Sequence, residues 1–539
     1  MTHAKRFVVV VTAVLGVGAV LPAQARGQAF TEASRGRVNY RLSEYVPRAA
    51  CDTFASSVKV ADVVSLQARG VPAAEGAPSH CRVSGVIAPE VAFEVNLPAR
   101  WNGRFYMIGN GGHAGQGPDD PGRITERAVA LQHGFAFAMT NTGHDARKEP
   151  GASFVMSNPQ KAIDYAYRAV HVTTVAAKAI ANADYARPVD RSYWNSCANG
   201  GRQGLIEAQR FPEDFDGIVA NAPWVAQTNF TIGAMWNQRA LTETPLSPEK
   251  MALVASRVMA TCDAGDGLAD GLIDDPRACK FDPVRDVPAC AAGTDGADCL
   301  TAAQASVLKK VYEGPTRNGA PFFPGFMLGS EAVVPGPGGV AASGWMNLIV
   351  PRQADVKPAD FNLAENTMRY LVFDPPQPDY DFRTFDFDKD PPLLDRWGKL
   401  ANADNPDLSA FRRRGGKLLM TYGWADTILQ PMMGVNYYER ALAANGPDTT
   451  NFFRLFMLPG MAHCGGGIGP DRHDPMTAII DWVERGRAPD TLLASKVTGG
   501  QVVRTRPLCV YPQVARHTGT GSIEDAANFR CVAPPPRQQ

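Results

Sequence analysis

Short apolar runs alternate with segments of helical periodicity in two separate stretches of this chain. In segment 160–180, Ile163, Tyr167 and Val170 recur every three or four residues, which is the spacing of one helix face. Because apolar strands that alternate with helices are typical of βαβ units, the pattern predicts a mostly parallel α/β sheet. The predicted strands are Val83–Ile87, Ala92–Leu97, Phe105–Ile108, Phe135–Thr140, Ser192–Asn195, Gly217–Ala220, Lys417–Tyr422 and Arg454–Leu458, and the later predicted helices are Val435–Ala444 and Met476–Arg485.

Residues 224–413 interrupt this alternation. They are rich in Pro, Gly, Asp and aromatic residues, and they hold four of the ten cysteines. We therefore predict an α/β domain formed by residues 26–223 together with 414–539, and an inserted lid domain formed by residues 224–413.

The first 25 residues have the pattern of a secretory signal. Lys5 and Arg6 precede an apolar stretch, Phe7–Leu21, and Ala23-Gln24-Ala25 is a small-x-small cleavage site, with Ala29 as a second option. A membrane anchor is the alternative, but the apolar stretch is short for a span of ~20 residues. We expect a secreted or periplasmic protein with no membrane contact after cleavage.

Composition narrows the classes of partner. Lys+Arg and Asp+Glu both number 54, so the net charge is zero and no electrostatic argument favours nucleic acid. The ten cysteines are even in number and lie outside the signal segment, which favours disulfides in an oxidising compartment. A zinc site is disfavoured because no Cys-x-x-Cys pair occurs.

Three fragments together carry candidate chemistry. Segment 193–204, YWNSCANGGRQG, places a glycine-rich turn between a short strand and a helix that runs through Leu205 and Ala208, the context of a nucleophile elbow. Asp426 follows a late strand, and His463 follows the last one. Each fragment alone is weak, but the order elbow, acid, histidine is that of the α/β-hydrolase triad.

These motifs resemble those of the tannase and feruloyl esterase family, which includes mono(2-hydroxyethyl) terephthalate hydrolases. The matching fragments are Cys197-Ala198-Asn199-Gly200-Gly201-Arg202, Tyr422-Gly423-Trp424-Ala425-Asp426 and Gly460-Met461-Ala462-His463-Cys464. The resemblance covers nearly all of the mature chain. It implies an α/β-hydrolase fold with a large lid, and a serine-type carboxylic ester hydrolase that acts on esters of aromatic acids.

The resemblance also implies how the cysteines pair. In the family, the cysteine before the nucleophile is bonded to the cysteine after the histidine. The implied pairs are Cys197–Cys464, Cys51–Cys81, Cys262–Cys279, Cys290–Cys299 and Cys509–Cys531. The first would keep the base and the nucleophile in register across a long separation in sequence.

The chain departs from the family at the nucleophile, because the family's serine aligns with Ala198. A methyl group cannot attack a carbonyl, so no acyl-enzyme can form there. Ser196 should be held away from the reacting carbon, and Cys197 should be oxidised. Two explanations stay open: Ala198 is an introduced Ser→Ala change, or the natural protein has lost its nucleophile.

Two backbone N–H groups are expected to form the oxyanion hole. One belongs to Asn199, which follows the nucleophile position, and the other to Gly111 or Gly112 in the early glycine-rich loop. That loop lacks the spacing of a dinucleotide-binding fingerprint, so no organic cofactor is expected.

Segment 262–274, CDAGDGLADGLID, predicts a structural calcium site. Hard oxygen ligands at alternating positions, with glycines that permit tight curvature, suit Ca²⁺, although the segment is not an EF-hand. By resemblance the ligands are the carboxylates of Asp263, Asp266 and Asp270 with the backbone carbonyls of Leu268 and Leu272. The alternative is a solvated acidic loop.

The lid and the loop before Asp426 offer candidate substrate contacts. Aromatic side chains suit an aromatic acyl group, and Arg369 could meet a carboxylate or a phenolic oxygen, although a surface arginine with a packed stem is the alternative. The candidates are Arg369, Phe373, Trp345, Trp424 and Ala425.

Three functions are compatible with these residues. The first is a secreted esterase of feruloyl, galloyl or terephthalate monoester type whose nucleophile position holds Ala198. The second is a non-catalytic binding protein on the same scaffold, and the third is hydrolysis by a water that His463 activates directly. The partner is a small aromatic ester, and the sequence makes no prediction of oligomeric state.

Overall fold

The computed structural model describes residues 30–32, 38–40, 43–74, 76–335, 341–351 and 356–534. The predicted signal, residues 1–25, lies outside the described residues. In the described part, no helix combines the length and the apolar character that a membrane span needs.

A nine-stranded sheet forms the centre of the molecule. With the strands numbered in chain order, their order across the sheet is β1-β2-β3-β5-β4-β6-β7-β8-β9. The six strands β4 to β9 run parallel to one another. The pairs β1–β2, β2–β3 and β3–β5 are antiparallel. The mostly parallel sheet is thus confirmed. The strands are β1 Val63–Val71, β2 His80–Ile87, β3 Val91–Pro98, β4 Arg104–Met107, β5 Ala136–Thr140, β6 Arg191–Cys197, β7 Gly217–Asn221, β8 Lys417–Gly423 and β9 Phe453–Leu458.

Alternate residues of the parallel strands enter two different cores. In β6, Trp194 joins the larger core while Tyr193 faces the smaller one, and in β8 Met420 and Leu419 divide in the same way. This is the period-two alternation of a strand that is buried on both faces, and it explains why these strands are short apolar runs in the sequence.

Helices cover both faces of the sheet. The predicted helix over 160–180 is observed as a continuous stretch from 160 to 185, with a π-helical turn at Asp164–Arg168. Outside the lid the helices are Cys51–Ser57, Pro121–Gln132, Gln160–Ile163, Ala169–Tyr185, Asn199–Arg210, Pro431–Asn445 and Pro475–Arg485.

The regular structure of the inserted segment is mostly helical. Some of its residues, such as Met368 and Trp397, pack in the larger sheet core, and part of the segment forms a core of its own. Trp345, Leu308 and Val258 are fully buried in that core. A second π-helical turn, Thr367–Val372, extends one of its helices. The helices are Gln227–Glu243, Pro248–Cys262, Pro283–Asp286, Ala302–Glu313, Ala359–Asn366, Asp395–Ala401 and Ser409–Arg413, and short hairpins pair Thr316–Arg317 with Ala320–Pro321 and Val333–Pro335 with Ala341–Ser343.

Besides the short hairpins of the lid, two groups of strands were not predicted. β1 is an edge strand whose residues are mostly exposed, so it has no apolar run. The C-terminal strands form small antiparallel sheets with half-buried positions: Arg472–His473, Thr491–Thr498, Gln501–Cys509, Val514–His517 and Phe529–Val532.

All ten cysteines are paired, as the family resemblance implies. The disulfides are Cys51–Cys81, Cys197–Cys464, Cys262–Cys279, Cys290–Cys299 and Cys509–Cys531.

Candidate active site

Residue 198 occupies a sharp elbow between β6 and the helix Asn199–Arg210. The backbone of Ala198 has φ 59° and ψ −120°, a region that costs a non-glycine residue conformational energy. The structure holds it there from both sides: the Ala198 N–H donates to the Asn221 carbonyl, and the Trp224 N–H donates to the Ala198 carbonyl, both at 3.0 Å. Such strain persists only where the surroundings fix it, as at a nucleophile elbow.

The glycines around the elbow permit a close backbone approach. A Cβ placed on Gly109 would lie 2.8 Å from the Gly200 Cα, and a Cβ on Gly200 would lie 2.0 Å from Ser196 Oγ. The early glycine-rich loop therefore packs directly on the first turn of the elbow helix. Ser196 is buried beneath that turn, and Cys197 is oxidised, so neither side chain takes the place of a nucleophile at residue 198.

The structure brings His463 and Asp426 together. His463 Nδ1 lies 2.8 Å from Asp426 Oδ2, and the Asp426 side chain is fully buried. Asp426 Oδ1 accepts the backbone N–H groups of Ile428 and Leu429, each at 2.9 Å. These bonds fix the carboxylate, which in turn fixes the imidazole so that Nε2 is the free nitrogen.

The disulfide Cys197–Cys464 joins the two halves of the site. It links the residue before position 198 to the residue after His463, with a Cα–Cα distance of 6.0 Å across 267 residues of sequence. The elbow and the histidine loop are therefore covalently in register.

The loop expected to complete the oxyanion hole lies beside the elbow helix. Gln203 Oε1 accepts the Asn110 N–H at 3.0 Å, and Gln116 Nε2 donates to the Gly111 carbonyl at 3.0 Å. Gly112 adopts φ +52°, which turns the chain into His113. Asn199 begins a helix, where the first N–H groups have no partner within the helix and are free to meet an oxyanion.

Arg202 is a structural residue of the elbow to which the sequence analysis assigned no role. It is fully buried, its Nε donates to Asn199 Oδ1 at 2.7 Å, and its two terminal nitrogens donate to backbone carbonyls at 2.8–3.0 Å. One of those carbonyls belongs to Tyr165, in the π-helical turn, and another to Ala401, in the lid. Burial lowers the pKa of Arg202, and these acceptors compensate its charge. Arg202 is part of the elbow motif in the sequence, but its hydrogen-bond partners Tyr165 and Ala401 lie far away along the chain.

His113 was also missed. It is buried, its Nε2 lies 3.1 Å from Thr367 Oγ1, and burial lowers its pKa to about 3. A neutral His113 thus connects the loop after Gly112 to the lid, and its only sequence signal was its place at the end of the glycine-rich loop.

The predicted substrate residues fall into separate places. Trp424 and Ala425 are buried beside Asp426, and the Arg277 guanidinium lies 4.9 Å from the Trp424 ring centre. Trp345 belongs to the lid core, where it is fully buried and its Nε1 donates to Ser330 Oγ at 2.8 Å. The structure therefore does not bring Trp345 together with the elbow residues.

Arg369 and Phe373 lie at the end of the lid helix that begins at Ala359. Arg369 Nη2 is 3.0 Å from Glu365 Oε1, and its Nε donates to the Tyr380 carbonyl at 3.3 Å. The Phe373 ring packs against Tyr380 with centroids 5.1 Å apart. Arg369 thus has its charge partly compensated within the lid.

The acidic loop predicted to bind calcium folds around its own carboxylates. Asp263 Oδ1 accepts the N–H groups of Asp270 and Gly271 at 3.1 and 3.0 Å, and Asp270 Oδ1 accepts the Leu272 N–H at 3.1 Å. The sequence did not predict that a guanidinium contacts this loop. Arg506, from a C-terminal strand, donates to Asp270 Oδ2.

Two other predicted ligands lie in the same loop. Asp266 Oδ1 accepts the Leu268 N–H at 2.9 Å, and Arg516 Nη1 donates to the Asp266 carbonyl. The donor set is all oxygen, which is the chemistry that Ca²⁺ prefers, and two arginines supply positive charge to the same loop.

Known proteins are similar to this chain in sequence. Residues 76–532 match the family described as Tannase and feruloyl esterase. The mono(2-hydroxyethyl) terephthalate hydrolase of Piscinibacter sakaiensis is 36% identical over 529 residues, covering 85% of each chain. A probable feruloyl esterase of Arthroderma benhamiae is 31% identical and covers 84% of each chain.

Solved structures are similar to this chain in fold. Feruloyl esterase B from Aspergillus oryzae superposes with a TM-score of 0.76 at 28% identity, covering 89% of this chain and 99% of the other. Tannin acyl hydrolase from Aspergillus niger, at 20% identity and a TM-score of 0.69, shares the fold. With the elbow, the His463–Asp426 pair and the bridging disulfide in place, the chain belongs to the tannase and feruloyl esterase family of carboxylic ester hydrolases.

Proposed function

We propose that this chain is an exported esterase scaffold for aromatic acid esters, with position 198 as the site of the nucleophile and with Ala198 leaving it unable to form an acyl-enzyme. The observation that carries the proposal is the strained backbone of Ala198, held at the elbow next to the disulfide that brings in His463. A residue without a side-chain nucleophile gains nothing from that conformation, so the geometry favours a serine there.

In the form with serine at 198, each neighbouring residue has a role. His463 Nε2 takes the hydroxyl proton as general base and then returns it to the leaving alcohol as general acid. Asp426 holds the imidazole and stabilises its charged form. The N–H groups of Asn199 and of Gly112 or Gly111 hold the oxyanion.

The alternative is a binding protein that keeps an aromatic-ester pocket without turnover. Ala198 itself is the observation that favours it, because it leaves His463 with no hydroxyl to deprotonate. The two functions predict different responses to the substitution Ala198→Ser.

The decisive experiment compares this chain with its Ala198→Ser variant on methyl ferulate, methyl gallate and a terephthalate monoester. We expect the variant to raise kcat by at least about 10³-fold on one ester class, since a triad nucleophile contributes this much or more. The matched control is Ala198→Ser combined with His463→Ala, which should remain near the starting rate. No gain on any ester would reject the esterase and leave the binding protein.

For the acyl group, we propose that Arg369 meets the polar end of the substrate. Glu365 is shared, because its Oε2 also contacts Lys357 Nζ at 2.5 Å, so two cations accompany one carboxylate. That surplus of positive charge supports a substrate carboxylate or phenolic oxygen. In the Ala198→Ser background, Arg369→Ala should lose more kcat/KM on a carboxylated ester than on an uncharged one, and equal losses would count against the idea.

We further propose a structural Ca²⁺ held by Asp263, Asp266 and Asp270 with the carbonyls of Leu268 and Leu272. The all-oxygen donor set supports it, and the disulfide Cys262–Cys279 closes the loop. The ion would brace the lid. Dialysis against EDTA should lower Tm and elemental analysis should find calcium before dialysis; an unchanged Tm together with no calcium would reject the site.

We propose export to the periplasm or beyond. Five disulfides support an oxidising compartment, since such bonds are rare in the cytosol. Expression of the full chain with mass analysis of the exported product should find a new N-terminus at residue 26 or 30, whereas an intact residue 1 would contradict the signal.

A further inference from the structure

Three side chains of types that can bind metal ions meet at the end of the elbow helix that lies far from residue 198. Glu207 is on that helix, His171 is on the helix Ala169–Tyr185, and Asp214 is in the turn that leads into β7. One ligand atom from each lies within 4.8 Å of the other two, and His171 Nδ1 is 2.7 Å from Asp214 Oδ2. Three separate segments thus place atoms that can act as metal ligands close to one another.

Glu207 makes this cluster more than a chance group of polar residues. Its side chain is 1% exposed, and in the described part of the chain no hydrogen-bond donor reaches either carboxylate oxygen. An ionised carboxylate without a partner costs several kcal/mol in such surroundings. Glu207 therefore needs either a proton or a cation.

The neighbouring Lys178 acts on Glu207 only through its charge, which lowers the pKa of that carboxyl; in the described part of the chain it makes no hydrogen bond to it. Lys178 Nζ donates to the backbone carbonyl of Asp214. The same ammonium lies 6.0 Å from the ring centre of Phe105 and 5.6 Å from that of Phe215. The hydrogen bond of Lys178 thus goes to the peptide, and a carboxylate oxygen of Glu207 lies within 4.8 Å of ligand atoms of His171 and Asp214.

We propose that His171, Glu207 and Asp214 bind a divalent transition-metal ion of the Zn²⁺ type. One imidazole and two carboxylates form a donor set that suits such ions, whereas Ca²⁺ prefers oxygen alone. Two carboxylates balance a charge of +2.

The surroundings of His171 favour this role. Its ring stacks on Phe211 with centroids 3.9 Å apart and planes 8° apart, which fixes the direction of Nδ1. The side chain is 32% exposed, so an ion and a water ligand have a route from solvent.

The competing state is a shared proton. Burial and the charge of Asp214 raise the pKa of Glu207 well above its usual range, so a neutral Glu207 can donate to the Asp214 carboxylate. A metal and a proton exclude one another at these oxygens, and that exclusion makes the proposal testable.

The ion would be structural. Glu207 follows Asn199 by eight residues, about 12 Å along the helix axis. From there the ion would tie the elbow helix to a second helix and to the turn before β7, without touching the reacting ester.

The test uses the full mature chain, freed of metal with a chelator and resaturated with calcium so that the acidic loop is not the reporter. Zn²⁺ and Co²⁺ are then titrated. We expect one equivalent of Zn²⁺ by calorimetry, visible absorption bands of low-symmetry Co²⁺, and a Tm that rises by about 2–10 °C at about 100 times Kd.

Two variants locate the site. Glu207→Gln keeps the volume and removes the charge, and His171→Ala removes a half-exposed ligand with little risk to folding; each should weaken Zn²⁺ binding at least tenfold. The matched control is Asp184→Asn, an equally buried acid on the same helix as His171, which should bind Zn²⁺ like the parent.

Three results would overturn the proposal. They are no Zn²⁺ binding by the parent chain, binding that survives His171→Ala unchanged, and binding that Asp184→Asn weakens as much as Glu207→Gln does. The first, with Glu207→Gln as stable as the parent at neutral pH, would establish the shared proton instead.

Discussion

The α/β sheet region and the lid are stabilised by different kinds of contact. In the sheet region, strands are buried on both faces, and the disulfide at the elbow joins residues 267 positions apart. The lid has a separate core around Trp345, and its two disulfides close loops of only 17 and 9 residues. The sheet region is thus tied together across the whole chain. The lid is constrained partly by its own short disulfides and partly by residues such as Met368, Trp397 and Phe411, which pack in the sheet core.

The difference follows from what each region must position. His463 and residue 198 come from distant segments, and the disulfide Cys197–Cys464 ties those segments together. The entropic effect of such a tie on the unfolded chain grows with the logarithm of the loop length. The lid contacts the elbow side of the site at several points: Thr367 contacts His113, the Ala401 carbonyl accepts from Arg202, and the Trp224 N–H donates to the Ala198 carbonyl. These lid residues lie outside the core around Trp345. Changes in the sheet region should therefore affect chemistry first, and changes in the lid core should affect stability first.

The largest expected effect tests the chemistry of the sheet region. In the Ala198→Ser background, Asp426→Asn should lower kcat by about 10⁴-fold, because the amide no longer selects the correct tautomer of His463. Tm should change far less. Steady-state assays with the best ester and a thermal melt check both, and a loss under tenfold would show that Asp426 does not orient the base.

The next effect compares the two kinds of disulfide. In the chain-entropy description, opening Cys197–Cys464 costs about 5–6 kcal/mol, and opening Cys290–Cys299 costs about 2–3 kcal/mol. Paired Cys→Ala variants, again in the Ala198→Ser background, should show that order in urea unfolding. Only the first should also lower kcat; equal losses of activity in both would break the comparison.

A third effect tests the independence of the lid core. Trp345→Ala should reduce the free energy of unfolding by about 3–5 kcal/mol, since it leaves a large cavity among buried side chains. With the Ala198→Ser change present, kcat/KM of the folded protein should stay within about threefold. Trp345→Phe is the conservative control, and a selective rise in KM for aromatic esters with Trp345→Ala would instead place this side chain at the substrate.

The smallest expected effect concerns Asp184, a buried acid of the sheet region whose ionisation lowers the stability of the folded protein. Burial raises the pKa of Asp184 to about 6, and in the described part of the chain its Oδ2 has no hydrogen-bond partner. Because the folded pKa exceeds the unfolded value, the folded state loses stability as pH rises from about 4 to 6, and the loss then stays constant. Asp184→Asn should thus stabilise the protein by about 1–3 kcal/mol at pH 8 and by little at pH 4.

Urea midpoints at the two pH values check this sign. Asp119→Asn offers the control, since it makes the same substitution at an exposed acid. A gain from Asp184→Asn that is equal at both pH values would exclude ionisation as its cause.

Much of the sheet and the core of the site could be predicted from the sequence. Apart from β6, which contains Arg, Ser and Asn, the parallel strands are short and largely apolar because both of their faces are buried. The observed bounds differ from the predicted ones by one or two residues in β4, β6 and β9. The glycines of the elbow and the order of Ala198, Asp426 and His463 depend on local turns at strand ends, so they too are readable along the chain. β1 and the C-terminal strands escaped because their residues are half exposed, which leaves no periodic signal.

Only the tertiary structure decided which distant groups meet. Arg202 gains its acceptors from Tyr165 and Ala401, and Arg506 reaches Asp270 across 236 positions. The same holds for Trp345, whose burial in the lid core no local pattern announced. Sequence periodicity records which face of an element is buried, but the identity of the neighbour depends on how whole elements pack, and packing is a property of the folded chain alone.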